Sequence, residues 1–117
     1  MTVLLIVKQA PYSTEYAFHA LRLAAALQQH EQRPAIRIFL LSDGVHCAAP
    51  NQLRPDGQYD VEQMLSGLIA AGAEVKACVT CLDQRGLFGA RLIDGVVGGT
   101  LMDLAAWTLE ADRVVAL

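Results

Sequence analysis

Two cysteines with two residues between them, Cys78 and Cys81, form the segment of this chain with the clearest capacity for chemistry. They follow a short apolar run, and an Arg85-Gly86 pair comes soon after them. A thiolate is the form of cysteine that attacks sulfur, and a nearby positive charge or the free N–H groups at a helix start stabilise it. Arg85 supplies a permanent charge and Gly86 can take a positive φ, whereas Asp83 opposes a thiolate. The segment therefore predicts thiol or sulfur chemistry, with the direction of the thiol pKa left open.

Cysteines in this arrangement also serve other purposes. A cysteine at the end of a core strand is often an inert small hydrophobic residue. A structural zinc ion takes four ligands, and the residues available to complete the set are His19, His30, His46 and Cys47. Because the two helical histidines have the wrong spacing for shared coordination, a mononuclear site would need His46 and Cys47 from the loop after the second strand, and we expect no metal. A thioredoxin-type dithiol follows an early strand, whereas this pair follows the third predicted strand.

Length and composition predict a single domain that covers residues 1–117. Hydrophobic residues make up 54% of the chain and charged residues 18%, with a mean hydropathy of +0.34. A parallel sheet covered by helices on both faces has such a composition, and so does a chain that hides an apolar surface in an oligomer. We expect both.

The same composition argues against several classes of partner. A net charge of −3 without a basic cluster gives no surface for nucleic acid. The apolar runs are far shorter than the roughly 20 residues of a membrane-spanning helix, and the amino-terminal residues do not resemble a signal peptide. We therefore expect a cytoplasmic protein with reduced cysteines. The glycines match neither a P-loop nor GxGxxG, so no cofactor is expected.

Alternation of strands and helices predicts the architecture. Strands are expected at residues 3–7, 36–41, 74–78 and 112–117, with a short fourth strand and one helical turn within the ambiguous residues 87–95. Helices are expected from a cap at Ser13 or Thr14 to about residue 30, from 61 to a Gly72 stop, and over 101–110 with Leu101, Leu104, Ala105 and Leu109 buried. This order predicts an α/β fold, a three-layer α/β/α sandwich with a mostly parallel sheet of about five strands.

Loops after three neighbouring strands are expected to form the functional site. In parallel sheets, ligands gather beyond the carboxyl ends of the strands, where residues 9–13, 43–57 and 78–86 converge. Residues 45–58 show no regular pattern, and we interpret them as a mobile flap. Besides the dithiol and Arg85, the candidate pocket residues are Tyr12, Asp43, His46, Cys47 and Gly86. A closing flap would let His46 act as a proton donor to Cys78.

Five segments, spread in order along the chain, resemble a known family. They are Ala10-Pro11-Tyr12, Phe39-Leu-Leu-Ser-Asp-Gly-Val45, Tyr59-Asp-Val-Glu-Gln-Met-Leu65, Cys78-Val-Thr-Cys-Leu-Asp-Gln-Arg-Gly86 and Ala111-Asp-Arg-Val-Val115. Together they are similar to the DsrE/DsrF-like family, and within it to the small YchN-type proteins. No single segment is specific, but the combination covers essentially the whole chain.

The resemblance implies a DsrE-like three-layer fold, a homohexamer built from trimers, and a link to sulfur relay. In DsrE and its TusD-like relatives, a cysteine after the third strand carries persulfide sulfur to a partner, and Cys78 matches its position. Cys81 matches a second thiol of the YchN type that the TusD-like carriers lack. This departure matters because a neighbouring thiol can resolve a persulfide into a disulfide.

Three functions remain open at this stage. In the first, a Cys78 thiolate of lowered pKa accepts sulfane sulfur from a donor and passes it to an acceptor. Arg85 would stabilise the anion, Cys81 would resolve or shuttle, and Tyr12 with the flap would limit access. In the second, an oligomeric protein senses redox state or binds a small ligand through the Cys78/Cys81 dithiol without sulfur transfer. In the third, the oligomer is structural and its thiols are inert.

Overall fold

The structure, a computed structural model, describes residues 1–87 and 89–117. Strands and helices alternate along most of it. In chain order the elements are β1 (Thr2–Val7), α1 (Tyr16–Gln29), β2 (Ala35–Leu40), a 3₁₀ helix (Ser42–Ala48), α2 (Val61–Ala70), β3 (Glu74–Cys78), α3 (Val79–Gln84), β4 (Val96–Gly99), α4 (Leu101–Glu110) and β5 (Arg113–Ala116). None of the helices in the described residues is long and apolar enough to cross a membrane.

The five strands form one parallel sheet in the order β4-β3-β2-β1-β5. The connections β1-α1-β2 and β2-α2-β3 step towards the β4 edge, whereas α4 returns the chain from that edge to β5 at the other. Because such crossovers are right-handed, α1 and α2 cover one face and α4 the opposite face. The predicted α/β architecture with a parallel sheet of about five strands is confirmed.

Burial on both faces explains the unbroken apolar strands. Leu4 and Leu5 are adjacent in β1, point to opposite faces and are both fully buried. On one face, buried alanines let α1 approach the sheet closely, as its sequence predicts. On the other face, Trp107 of α4 meets Phe39 of β2 edge-on with 6.2 Å between ring centroids. Trp107 is therefore a core residue.

Helix α1 begins later than predicted. Its N-cap residue is Glu15, which makes no side-chain capping hydrogen bond, rather than Ser13 or Thr14. The segment before it turns because Tyr12 has a φ of 72°, and both its backbone N–H and its hydroxyl bond to residues 59 and 61. Long-range contacts of Tyr12 thus override the local capping signal.

The predicted flap is wrong for its first part. Residues 42–48 form a 3₁₀ helix in which Val45, Cys47 and Ala48 are fully buried. The later part, residues 49–58, forms no helix or strand, and Leu53 within it is 99% exposed. The apolar side chains at 45, 47 and 48 place this short helix against the core, and the Ala48 carbonyl accepts the Ile93 N–H at 2.8 Å.

Helix α4 has the predicted bounds but a different buried side. Its buried residues are Leu104 and Trp107, whereas Leu101 and Leu109 are 71% and 88% exposed. Ala105 is also exposed. Helix α4 carries apolar side chains on two opposite sides, and the sequence did not tell which of them faces the sheet.

The ambiguous residues 87–95 include residue 88, which lies outside the described residues. Residues 89–95 contain no helix or strand. The expected short strand is β4, which begins directly after them at Val96, and the helical turn lies before them as α3.

Candidate functional site

The dithiol lies where β3 passes into α3. Cys78 is both the last residue of β3 and the N-cap of α3, and its Sγ accepts the backbone N–H of Cys81 at 3.3 Å. The CxxC spacing produces this contact because the third residue after an N-cap directs its N–H back at the capping side chain. Cys78 is buried, with 6% of its surface exposed, whereas Cys81 is half-buried on the first turn of α3.

The loop after β2 supplies a donor to the second sulfur. The Ser42 backbone N–H reaches the Sγ of Cys81 at 3.2 Å. Ser42 has a φ of 55°, an uncommon conformation for a residue other than glycine. The sequence analysis missed Ser42, although its place at the end of the second strand, beside the predicted turn, was a usable signal.

Arg85 joins α3 to this loop. Its guanidinium contacts the Asp43 carboxylate at 3.0 Å through Nε and 2.9 Å through Nη2. It also donates to the Cys81 carbonyl at 3.1 Å and to the Ser42 hydroxyl at 3.4 Å. Gly86 ends the segment with the expected positive φ, 71°. All of these contacts are with oxygen atoms. Arg85 therefore stabilises the positions of the residues around the sulfurs.

The sequence left the direction of the thiol pKa open, and the lowered pKa that the first hypothesis assumed for Cys78 is wrong in direction. Burial raises the pKa of Cys78, and its hydrogen bond with the Cys81 side chain raises it further. Backbone N–H groups of Cys81 and Thr80 act in the opposite direction without reversing the shift. The positive potential at the start of α3 is small because this helix has only six residues, and the charge of Arg85 is paired with Asp43. Neither of them lowers the pKa of Cys78 enough to outweigh the loss of solvent around its thiol.

Cys47 belongs to the core rather than to a pocket. It is fully buried, and its thiol donates to the Gln9 carbonyl at 3.8 Å. Burial raises the pKa of Cys47 to about 12, so it remains a neutral thiol at physiological pH. The neighbouring His46 is half-buried and contributes its carbonyl oxygen, which accepts the Gln52 amide at 2.8 Å. Its pairing with Cys78 stays a prediction.

Tyr12 lies in an aromatic cluster that the sequence analysis did not recognise. Its ring centroid is 4.9 Å from that of Tyr59, which in turn stacks on Phe18 at 4.7 Å. The Tyr12 N–H donates to the Tyr59 hydroxyl at 3.3 Å, and the Val61 N–H donates to the Tyr12 hydroxyl at 3.0 Å. Burial raises the pKa of Tyr59 to about 12. These contacts hold Tyr59 and Val61, which follow the long loop after β2, against the loop after β1.

The structure thus brings Cys78, Cys81, Asp43 and Arg85 into one group of contacts, with Ser42 added. Tyr12 and Cys47 belong to neighbouring clusters built from the same loops. Within residues 1–87 and 89–117, no group of three or more His, Cys, Asp or Glu side chains is arranged to hold a metal ion.

Comparison with known proteins identifies the family of this chain. The whole chain, residues 1–117, matches the DsrE/DsrF-like family. The chain is 44% identical to Protein YchN of Escherichia coli K12 over 113 residues, which cover 97% of this chain and 96% of YchN. It is 39% identical over 114 residues to an uncharacterized protein of Methanopyrus kandleri, covering 97% and 91% of the two chains.

Solved structures match over the same length. The crystal structure of YchN from E. coli superposes with a TM-score of 0.91 at 45% identity and covers 100% of both chains. A protein of unknown function from Methanobacterium thermoautotrophicum has a TM-score of 0.70 at 16% identity, covering 99% and 98% of the chains, and shows the fold alone. From its sequence, its sheet and its full-length match, this chain belongs to the DsrE/DsrF-like family.

Proposed function

We propose that this protein handles sulfane sulfur and carries it as a persulfide on the Cys78/Cys81 dithiol, with Cys78 as the resting carrier. The observation that carries the proposal is the pair of N–H···S contacts, from Cys81 to the Cys78 sulfur at 3.3 Å and from Ser42 to the Cys81 sulfur at 3.2 Å. Each sulfur of the pair has a fixed backbone donor for developing negative charge. The association of the DsrE/DsrF-like family with sulfur relay supports the same chemistry.

The raised pKa of Cys78 is compatible with a carrier. A buried, protonated thiol is slow to react with oxidants in the surroundings. A persulfide is more acidic than the thiol that it replaces, so sulfur loaded on Cys78 gains anionic character that the Cys81 N–H then stabilises. Burial would also shield the loaded sulfur from small thiols that would otherwise remove it.

The proposal includes partners and a compartment. A carrier takes sulfur from a donor and gives it to an acceptor, so a sulfur-donor or sulfur-acceptor protein is expected to dock over α3. A reducing cytoplasm would keep the three cysteines free, as they are in the structure. The protein itself is proposed to be a homo-oligomer, a trimer-based hexamer by resemblance to its family.

A second function, a reversible dithiol switch, rests on the contact between the same two thiols. Cys81 is close enough to Cys78 to raise the pKa of Cys78. Oxidation to a disulfide would remove the hydrogen-bonded thiols and disturb the first turn of α3. This alternative involves no retained sulfur.

Mass spectrometry distinguishes the two functions. Reduced protein is incubated with glutathione persulfide, trapped with an alkylating agent and analysed intact, and the 77–85 peptide is then fragmented. We expect the wild-type chain to gain the mass of one sulfur, retained on Cys78, and Cys78→Ser/Cys81→Ser to gain none. Cys47→Ala is the matched control and should load like wild type.

The other results are equally informative. A loss of two hydrogens across Cys78 and Cys81, without retained sulfur, supports the dithiol switch. Full loading of the double variant, or no change in the wild-type chain, contradicts sulfur carriage by this pair.

A further inference from the structure

We infer that donor sulfur is taken up first by Cys81 and is then passed inward to Cys78, so that the two thiols act in a fixed order. The inference rests on the proposed function and adds the identity of the thiol that meets the donor. The geometry points to it through the unequal exposure of the two cysteines and through the Ser42 N–H that is directed at the Cys81 sulfur.

Exposure favours Cys81 as the receiving thiol. Cys78 shows 6% of its surface at the buried end of β3, whereas Cys81 is half-buried on the next turn of the chain. Transfer between sulfurs requires the attacking sulfur to approach the donor along its S–S bond. A donor, which is bulky even as glutathione persulfide, reaches such an approach to Cys81 more readily than to Cys78.

The loop after β2 is held in a conformation that serves Cys81. The left-handed backbone of Ser42 is unfavourable for a residue other than glycine, yet it directs an N–H at the Cys81 sulfur at 3.2 Å. Arg85 holds both sides of this contact, because it donates to the Ser42 hydroxyl and to the Cys81 carbonyl. Arg85 is thus a positioning residue for the receiving sulfur.

Burial and charge also favour this order of the two thiols. Burial keeps Cys78 protonated, and negative charge on Cys81 opposes its ionisation further. Cys78 is therefore a poor nucleophile towards an external donor while Cys81 carries charge. Once the Cys81 sulfur is bonded to a sulfane sulfur, Cys78 lies beside the sulfur that it is to receive.

The chemistry balances without an external oxidant. The Cys81 thiolate attacks the outer sulfur of R–S–SH, its new S–S bond forms, and the donor leaves as R–S⁻. Cys78 then attacks the outer sulfur of Cys81–S–SH, the first S–S bond breaks, and the Cys78 proton passes to the departing Cys81 thiolate. The products are Cys78–S–SH and Cys81–SH. Attack on the inner sulfur would instead give the Cys78–Cys81 disulfide and hydrogen sulfide.

Rates of loading test this order. Wild type, Cys81→Ser, Cys78→Ser and the Cys47→Ala control are mixed with glutathione persulfide and quenched with an alkylating agent at increasing times. We expect Cys81→Ser to load about tenfold more slowly than wild type, because access and thiolate character both limit its remaining thiol. Cys78→Ser should load at the wild-type rate and keep the sulfur on Cys81. A serine at either position retains an acceptor for the backbone N–H, and circular dichroism checks the fold.

Alkylation of the folded protein is a second test of the order, and it does not depend on sulfur uptake. With limiting iodoacetamide, Cys81 should be modified before Cys78 in the wild-type chain. Equal loading rates for Cys81→Ser and wild type, or earlier alkylation of Cys78, overturn the inference and leave the proposed function standing. A wild-type chain that takes up no sulfur overturns the proposed function and this inference together.

Discussion

At the residue scale, burial decides what each of the three thiols can do. Cys47 is fully buried and its pKa is raised from 9.0 to about 12, chiefly by loss of solvent. Cys81 is half-buried at the surface of the same region, and Cys78 lies between these extremes of access. The residue types and their spacing identified the dithiol. They did not distinguish the core thiol of Cys47 from a reactive thiol.

The raised pKa of Cys47 predicts a pH dependence of stability. A group whose folded pKa lies above its unfolded value contributes stability below the unfolded pKa, and this contribution is lost as the pH rises towards the folded pKa. Between pH 9 and pH 12 the Cys47 contribution should fall by about 1.4 kcal/mol for each pH unit. Urea unfolding at several pH values, with Cys47→Ala beside wild type, measures it.

In that comparison the difference between the two proteins removes the contribution of Cys78, whose pKa is also raised, and retains that of Cys47 together with its effect on Tyr59. Cys47→Ala should be less stable than wild type at pH 7.5, since it loses buried volume, and its disadvantage should shrink above pH 9. Parallel stability curves for the two proteins over this range would contradict the assignment of a strongly raised pKa.

At the element scale, the 3₁₀ helix after β2 positions Ser42 and Asp43. Gly44 allows this helix to pack against the end of β1. A Cβ at Gly44 would collide with the carbonyl oxygen of Val7 at the end of β1. The Val7 carbonyl also accepts the Leu41 N–H at 2.9 Å, so the two strand ends and the short helix are packed without spare room. The dithiol depends on this packing because its Ser42 donor lies two residues before Gly44.

Substitution of Gly44 should therefore be costly. We expect Gly44→Ala to lower the free energy of unfolding by about 2–3 kcal/mol, as in other overpacked sites. Gly67→Ala is the matched control, since its Cβ on α2 would meet no atom within 4 Å, and it should raise stability by about 0.5–1 kcal/mol. Urea unfolding at one protein concentration compares them. Equal effects of the two substitutions would rule out the steric explanation.

At the scale of the whole molecule, α4 presents an apolar surface on its outer side. Leu101, Met102, Ala105 and Leu109 fall within about 100° of the helix circumference, opposite the buried Leu104 and Trp107. A helix that is apolar on both sides is normally buried on both. We propose that this surface contacts a second copy of the chain, which would account for part of the high mean hydropathy.

The proposed oligomer can be tested on that surface. A single chain has a Cα radius of gyration of 13.2 Å, and we expect the wild-type protein in solution to be larger by light scattering and X-ray scattering. Met102→Glu/Leu109→Glu should shift it towards the monomer, because two charges would be buried at the interface. Leu53→Glu, at a residue that is 99% exposed on a loop, is the matched control. A monomeric wild type, or an unchanged assembly in the double variant, would refute this role of α4.

The sequence alone determined the order of the strands and of α1, α2 and α4, the parallel sheet and the location of the dithiol after β3. These follow from patterns that each segment carries within itself, such as the apolar run of β1 and the CxxC spacing that makes Cys78 the cap of α3. The family resemblance was also contained in the sequence, and the full-length match confirmed it.

Only the tertiary structure decided which groups surround the sulfurs and which side of α4 faces the sheet. The Ser42 donor, the Arg85–Asp43 contact and the raised pKa of Cys78 all depend on segments that are 39 or more residues apart or on burial by the whole fold. No local pattern encodes such distances. The direction of a pKa shift depends on whether the effect of desolvation or that of hydrogen bonding is larger. Both effects are known only once the chain is folded.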